Sequence, residues 1–142
     1  TRLGEALRAS LPPRAALPDA LDLAVDAPLW NPAHRVELRS TMSGQLGVLR
    51  SGLGMGAAVR QVDALAELAT VGVTGSRSSW EATNMLTVAA AVVAAAQARE
   101  ESRGCHRRSD HTEPDPRWRR HIDVRFGATG GLTLEQSGLV EP

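Results

Sequence analysis

The feature that most narrows the fold is a nearly unbroken apolar run without a charge, Met85 to Ala96 (MLTVAAAVVAAA). It is short of the roughly 20 residues needed to cross a bilayer. It therefore reads as a buried core helix rather than a membrane span. Ser78 is a favoured N-cap, and Glu81 three residues later completes a capping box. From there the helical pattern continues for about 24 residues to Arg103, and Gly104 stands where a C-cap glycine is expected. Because its middle is apolar on every side, this helix should lie at the centre, covered by others.

Two further helices precede it. Asn31-Pro32 is a start signal, a capping residue followed by proline at the first helical position. Val36, Leu38, Met42, Leu46 and Leu49 then recur at helical spacing, although Gly44 and Gly47 weaken the pattern. Arg50-Ser51-Gly52 reads as a break. A second apolar stripe follows through Met55, Val59, Val62, Leu65, Ala66 and Leu68, and Gly72 and Gly75 end it. The chain has no Tyr and one Phe, so the core must come from Ala, Leu and Val. Alanine lets helix axes approach closely, at no cost in side-chain entropy.

The expected fold is mainly α: a spectrin-repeat-like three-helix bundle over residues 31–104, followed by residues 105–142 as an ordered loop and a C-terminal β-hairpin. Residues 105–120 are polar and broken by proline. His121 to Phe126 and Leu132 to Gln136 alternate polar and apolar residues around a glycine-rich turn, which is a hairpin signature. Ser137 to Pro142 reads as a frayed end. Residues 1–30 carry Pro12, Pro13, Pro18 and Pro28 and read as a surface linker, with one short turn around Asp19 to Ala24.

Sixteen basic residues, all Arg, balance sixteen acidic ones, and the net charge of zero argues against a nucleic-acid binder. A single cysteine, Cys105, cannot form an internal disulfide, and no basic-plus-apolar signal opens the chain. Both features point to the cytoplasm.

One segment concentrates chemistry-bearing residues: Glu100-Glu101-Ser102-Arg103-Gly104-Cys105-His106-Arg107-Arg108-Ser109-Asp110-His111. Cys105, His106, Asp110 and His111 are transition-metal ligand types. Adjacent Cys and His rarely point the same way, however, and the crowd of arginines disfavours a cation. A thiolate nucleophile at Cys105 would enjoy a positive setting but lacks an orienting partner. An anion could be gripped by Arg103, Arg107 and Arg108, yet Glu100, Glu101, Asp110, Glu113 and Asp115 are interleaved with them. Mixed charge at this density favours a salt-bridged structural or interdomain network. No G-x-G-x-x-G is present, and the glycines from Gly44 to Gly56 lack the Lys-Ser/Thr of a phosphate loop.

The same segment, from Ala98 to His111, resembles the A-x-x-R-x-E-S-R-G-x-H-x-R-x-D motif of the succinate dehydrogenase, fumarate reductase and L-aspartate oxidase flavoproteins. Glu101, Ser102, Arg103, Gly104, His106, Arg108 and Asp110 fall in place. Gly47-Val48-Leu49-Arg50, with Met42 before it, resembles the family's V-G-I-x-R segment. Glu81-Ala82-Thr83-Asn84-Met85-Leu86 resembles its E-x-x-N-L-L segment. The resemblance covers about residues 31–126, and the compact loop and short tail sit nearest the L-aspartate oxidase branch. It implies a parent enzyme that oxidises L-aspartate to iminoaspartate, passes a hydride to FAD, and feeds NAD synthesis, with oxygen or fumarate reoxidising the flavin.

The family's dinucleotide-binding glycines and substrate-clamping His and Arg residues lie upstream of this domain. The resemblance therefore assigns no catalytic, cofactor-binding or metal-binding residue here. It makes the FAD-binding domain of the same polypeptide the partner and the signature residues an interdomain surface. It also leaves an apolar face that favours self-association in isolation. A succinate dehydrogenase or fumarate reductase parent, and an independent helical interaction module, are the alternatives.

Overall fold

The structure is a computed structural model that describes residues 28–69, 75–127 and 131–138. Three helices and a small antiparallel sheet form the body. Asn31 accepts a hydrogen bond from Ala33 N–H and opens a 3-10 turn, Pro32–His34, which leads into α1 (Arg35–Gln45). Strand β1 (Leu49–Arg50) follows, then α2 (Gly52–Ala66) and α3 (Arg77–Ala98). Strand β2 (Arg107–Arg108) pairs in parallel with β1, with Leu49 opposite Arg107 and Arg50 opposite Arg108. A second 3-10 turn, Pro116–Trp118, precedes β3 (Arg120–Phe126), which pairs antiparallel with β4 (Leu132–Gly138) from Phe126↔Leu132 to Arg120↔Gly138.

The hairpin lies where its alternation predicted it. Ser137 and Gly138, read as fraying, belong to β4, while residues 1–27 and 139–142 are outside the described residues, and with them the linker reading and the turn at Asp19 to Ala24. Residues 70–74, with the stop read at Gly72, and residues 128–130 of the glycine-rich turn are outside them as well.

Burial follows narrow stripes. In α2 the buried residues are Met55, Ala58, Val62 and Leu65; in α3 they are Ser79, Ala82, Leu86, Ala89, Val93 and Ala96. Both sets step by three and four, one helical face each. Ala58 on α2 and Ala82 on α3 are both fully buried. From α1 only Leu38 and Thr41 are buried.

Trp30 lies at the centre with no exposed surface. Its indole N–H donates to Leu65 O at 2.8 Å, satisfying a last-turn carbonyl of α2, and its amide donates to Thr83 Oγ1 at 2.9 Å on α3. The packed body thus includes Leu29 and Trp30, which the sequence reading had placed in the linker.

Several local expectations are corrected. The cap of α3 is Ser76, not Ser78. Its side chain accepts from Ser79 N, while Ser79 Oγ accepts from Ser76 N, so the reciprocal box uses two serines. Glu81 is freed for ion pairs with Arg35 and Arg77. The helix ends at Ala98 rather than Arg103, because Arg99 turns extended (φ −83°, ψ 107°). Gly104, at φ +56°, serves instead in a tight turn in which Arg103 and His106 exchange both backbone hydrogen bonds. Leu49 is strand and two-thirds exposed rather than a helical core residue, and Val36 is exposed too. Finally, α3 is not covered all round: Val88 and Val92 face outward at 60% and 43% exposure.

Candidate functional site

The end of α3 carries the densest polar network. Arg99 breaks the helix, and the chain then folds back across the helix end before entering the hairpin. Glu101 is fully buried within this fold. Its Oε1 accepts from Arg99 Nη1 at 2.7 Å and Arg103 Nε at 2.9 Å, and its Oε2 accepts from Asp115 N–H at 2.9 Å. Burial alone would raise its pKa. The hydrogen bonds from Arg103, Asp115 and Arg99 outweigh that, and the carboxyl is lowered to about 2. Ser102, also buried, accepts from Arg108 N–H at 2.8 Å and donates to His111 O at 2.6 Å, so one hydroxyl closes the loop on itself.

Arg108 is the second hub. It grips Asp110 as a two-pronged fork, Nε to Oδ1 at 2.9 Å and Nη2 to Oδ2 at 2.7 Å. Its Nη1 donates to Gln97 O and Arg99 O at 3.2 and 2.8 Å, capping the carbonyl end of α3 with a positive charge. Asp110 in turn accepts Gly52 N–H at 2.7 Å, placing a carboxylate on the amide end of α2. The Arg108 guanidinium, with help from Gly52 N–H, holds the Asp110 carboxyl well below the usual range despite its partial burial. One ion pair therefore closes the C-terminus of one helix and the N-terminus of another.

Gly52 is required by this arrangement. A Cβ there would meet Asp110 Oδ2 at 2.7 Å and Arg108 Nη2 at 3.0 Å.

His106 is fixed by its neighbours. An arginine can only donate, so Nδ1 must accept from Arg50 Nη1, 2.8 Å away, and Nε2–H points to Arg99 O at 3.2 Å. The ring is therefore neutral in this arrangement. Burial lowers its pKa, the Arg99 carbonyl opposes that, and the charges of Arg50, Arg108 and Arg99 add to the lowering.

All seven signature residues, Glu101, Ser102, Arg103, Gly104, His106, Arg108 and Asp110, fall in this one knot. The Gly47–Arg50 segment joins them through β1–β2, through Arg50 and through Ser109 N–H to Arg50 O at 2.8 Å. The Glu81–Leu86 segment does not; it starts α3 at the far end.

The network's side chains are engaged with one another. Both His106 nitrogens are engaged, so the ring offers no base to Cys105, which is exposed in the turn. Asp110 and His106 are committed to arginine and carbonyl partners rather than to a cation. The single-residue clues missed from sequence were Gly52, read as a break, and Arg99, whose guanidinium also donates to Trp118 O and Arg120 O and lies 5.8 Å over the Trp118 ring. The cluster's density of arginine was the signal; which carboxylate met which arginine was not written in it.

A family model described as fumarate reductase flavoprotein C-term matches residues 35–138. The chain belongs to that family. The family's matched span takes in all three helices, the knot and the hairpin. Among curated relatives, an L-aspartate oxidase of Streptomyces coelicolor is 41% identical over 123 residues, covering 80% of this chain and 21% of the relative. An L-aspartate oxidase of Rhodospirillum rubrum is 36% identical over 100 residues, covering 70% of this chain and 33% of the relative. Among solved structures, FrdA of E. coli quinol fumarate reductase superposes with a TM-score of 0.61 at 25% identity, over 83% of this chain and 22% of that one. The chain thus spans a fifth to a third of the length of these proteins.

Membership in this flavoprotein family implies a flavin cofactor, and the arginines around the end of α3 are not free to hold its pyrophosphate. A pyrophosphate needs free amide or guanidinium donors. Here Arg99, Arg103, Arg108 and Arg117 each hold a carboxylate already, and Asp110 occupies the amide end of α2. Among the described residues no helix is long and apolar enough to cross a membrane.

Proposed function

We propose that this chain is the C-terminal helical domain of an FAD-dependent L-aspartate oxidase, and that its own role is structural. The identity of 41% to a protein of that name carries the reading, because it extends over 123 residues and most of this chain. In the parent, FAD would take a hydride from L-aspartate to give iminoaspartate, which feeds NAD synthesis in the cytoplasm. The flavin-binding domain of the same polypeptide would hold the cofactor and substrate. The residues before Leu29 would link that domain to a spectrin-repeat-like bundle of three helices that takes in Leu29 and Trp30, with residues 105–142 as loop and hairpin. The seven signature residues would keep this end of the domain rigid, so that its outer face, including the half-exposed Arg103, meets the flavin body in one orientation.

The test is to purify the complete polypeptide that carries these residues. Bound flavin and aspartate-dependent reduction of oxygen or fumarate are expected. A flavoprotein that ignores aspartate and oxidises succinate would make it a succinate dehydrogenase or fumarate reductase subunit, the reading that the likeness to FrdA favours. A colourless polypeptide would make it an independent interaction module.

A further inference from the structure

The contact between His106 and Arg50 stands on an unprotonated ring nitrogen. Arg50 ends β1, and among the described residues no carboxylate pairs with it. Its Nη1 donates to His106 Nδ1 at 2.8 Å, and its Nε reaches Gly47 O at 3.3 Å. The charged and titratable groups that face the ring are Arg50 from β1, Arg99 from the end of α3, Arg108 from β2, and His121 from β3, which lines the same hollow. No arginine can accept a hydrogen bond. A proton on Nδ1 would therefore set two donors and two positive charges against each other at hydrogen-bond distance.

One side must then give way. His106 is pinned: its Nε2–H points to Arg99 O, and its backbone exchanges two hydrogen bonds with Arg103. Arg50 belongs to a strand of only two residues, next to the exposed Val48 and Leu49. We propose that His106 is an acid-sensitive latch, whose protonation expels the Arg50 guanidinium and loosens β1 from β2, freeing the link between α1 and α2 while the helices stay packed. Burial, with the charges of Arg50, Arg108 and Arg99, holds the ring's pKa below 6.5, so the latch is shut at neutral pH and opens in acid. The Glu101 and Asp110 carboxyls lie far lower and stay ionised meanwhile, so their pairs with Arg99, Arg103 and Arg108 persist. Ser109 reports on the link, because its N–H and Oγ both donate to Arg50 O, at 2.8 and 3.2 Å. The latch needs no bound partner and is independent of the parent enzyme's substrate.

The experiment is amide hydrogen exchange on the complete polypeptide, read by mass so that the peptide holding Ser109 is separated from those of α2 and α3. After correction for the intrinsic pH dependence of exchange, protection at Ser109 should fall about tenfold between about pH 7.5 and pH 4.5, while α2 and α3 change less than about twofold. His106→Asn, whose amide can accept from Arg50 but does not titrate, should keep Ser109 protected throughout. His121→Asn should leave the acid step intact. Arg50→Met removes the opposing donor and charge, so the acid step should vanish even where neutral-pH protection is lower; this variant decides the matter if His106→Asn fails to fold. Four results each overturn the latch: no acid step in the native protein, an equal step in His106→Asn or Arg50→Met, its loss in His121→Asn, or a step shared by α2 and α3.

Discussion

Glu101 is a buried carboxylate that stays charged because three donors surround it, and this sets how stability responds to acid. Its folded pKa of about 2 lies below the usual 4.5. The unfolded chain therefore takes up the proton first as pH falls. The stabilisation is full above about pH 4.5 and disappears towards pH 2, a total on the order of 3 kcal/mol for one group. Denaturant melts across that range should show the loss in the native chain, and Glu101→Gln should flatten it while lowering stability at pH 7. A curve of the same steepness in that variant would show that Glu101 is not the group responsible.

His106 acts in the same direction at higher pH. Its folded pKa lies below the unfolded value of 6.5, so its contribution is full above pH 6.5 and declines as pH falls through the lowered value. Proton NMR should find the ring in its Nε2–H form at pH 7, and His106→Asn should remove the decline just below pH 6.5. An Nδ1–H ring would contradict the contact with Arg50.

At the scale of elements, the knot closes two helix ends with one ion pair, and glycine decides whether it can. Gly52→Ala should lower stability by about 1–3 kcal/mol, since the new methyl would displace the Asp110–Arg108 fork. Gly44→Ala, in α1 with open space around its Cβ position, should raise stability by roughly 0.5–1 kcal/mol. Thermal melts of the two variants should shift in opposite directions; shifts of the same sign would remove the steric argument.

Element by element, sequence periodicity located what physics makes local. The stripe of α2 and the strand pattern of the hairpin are one-dimensional patterns, and each marks its element in the fold, whereas α3, read as apolar on every side, buries only one face. The caps were ambiguous because Ser76, Ser78 and Ser79 crowd one start, and only geometry selects among them. The end of α3 was misplaced because residues 99–103 carry good helix formers. Tertiary bonds from Arg99 to Trp118 O and Arg120 O pull that turn out of the helix. The β1–β2 pairing joins residues 58 positions apart by register, and Trp30 finds its partners on two helices. Neither contact leaves a trace in local spacing. The signature residues were visible as a group, yet their partners were not.

Across the described residues, the charged groups of the knot pair with one another, while large apolar side chains stand exposed at Val36, Val48 and Leu53 as well as at Val88 and Val92 of α3. The claim that matters most is that the signature knot supports the parent flavoprotein without entering its chemistry. Glu101→Gln in the complete, flavin-loaded protein tests this most directly, with turnover per bound flavin, flavin occupancy and melting temperature measured together. Turnover per bound flavin should stay within about twofold of the native value while occupancy falls and melting drops by several degrees. A large loss of turnover with occupancy and melting unchanged would contradict it.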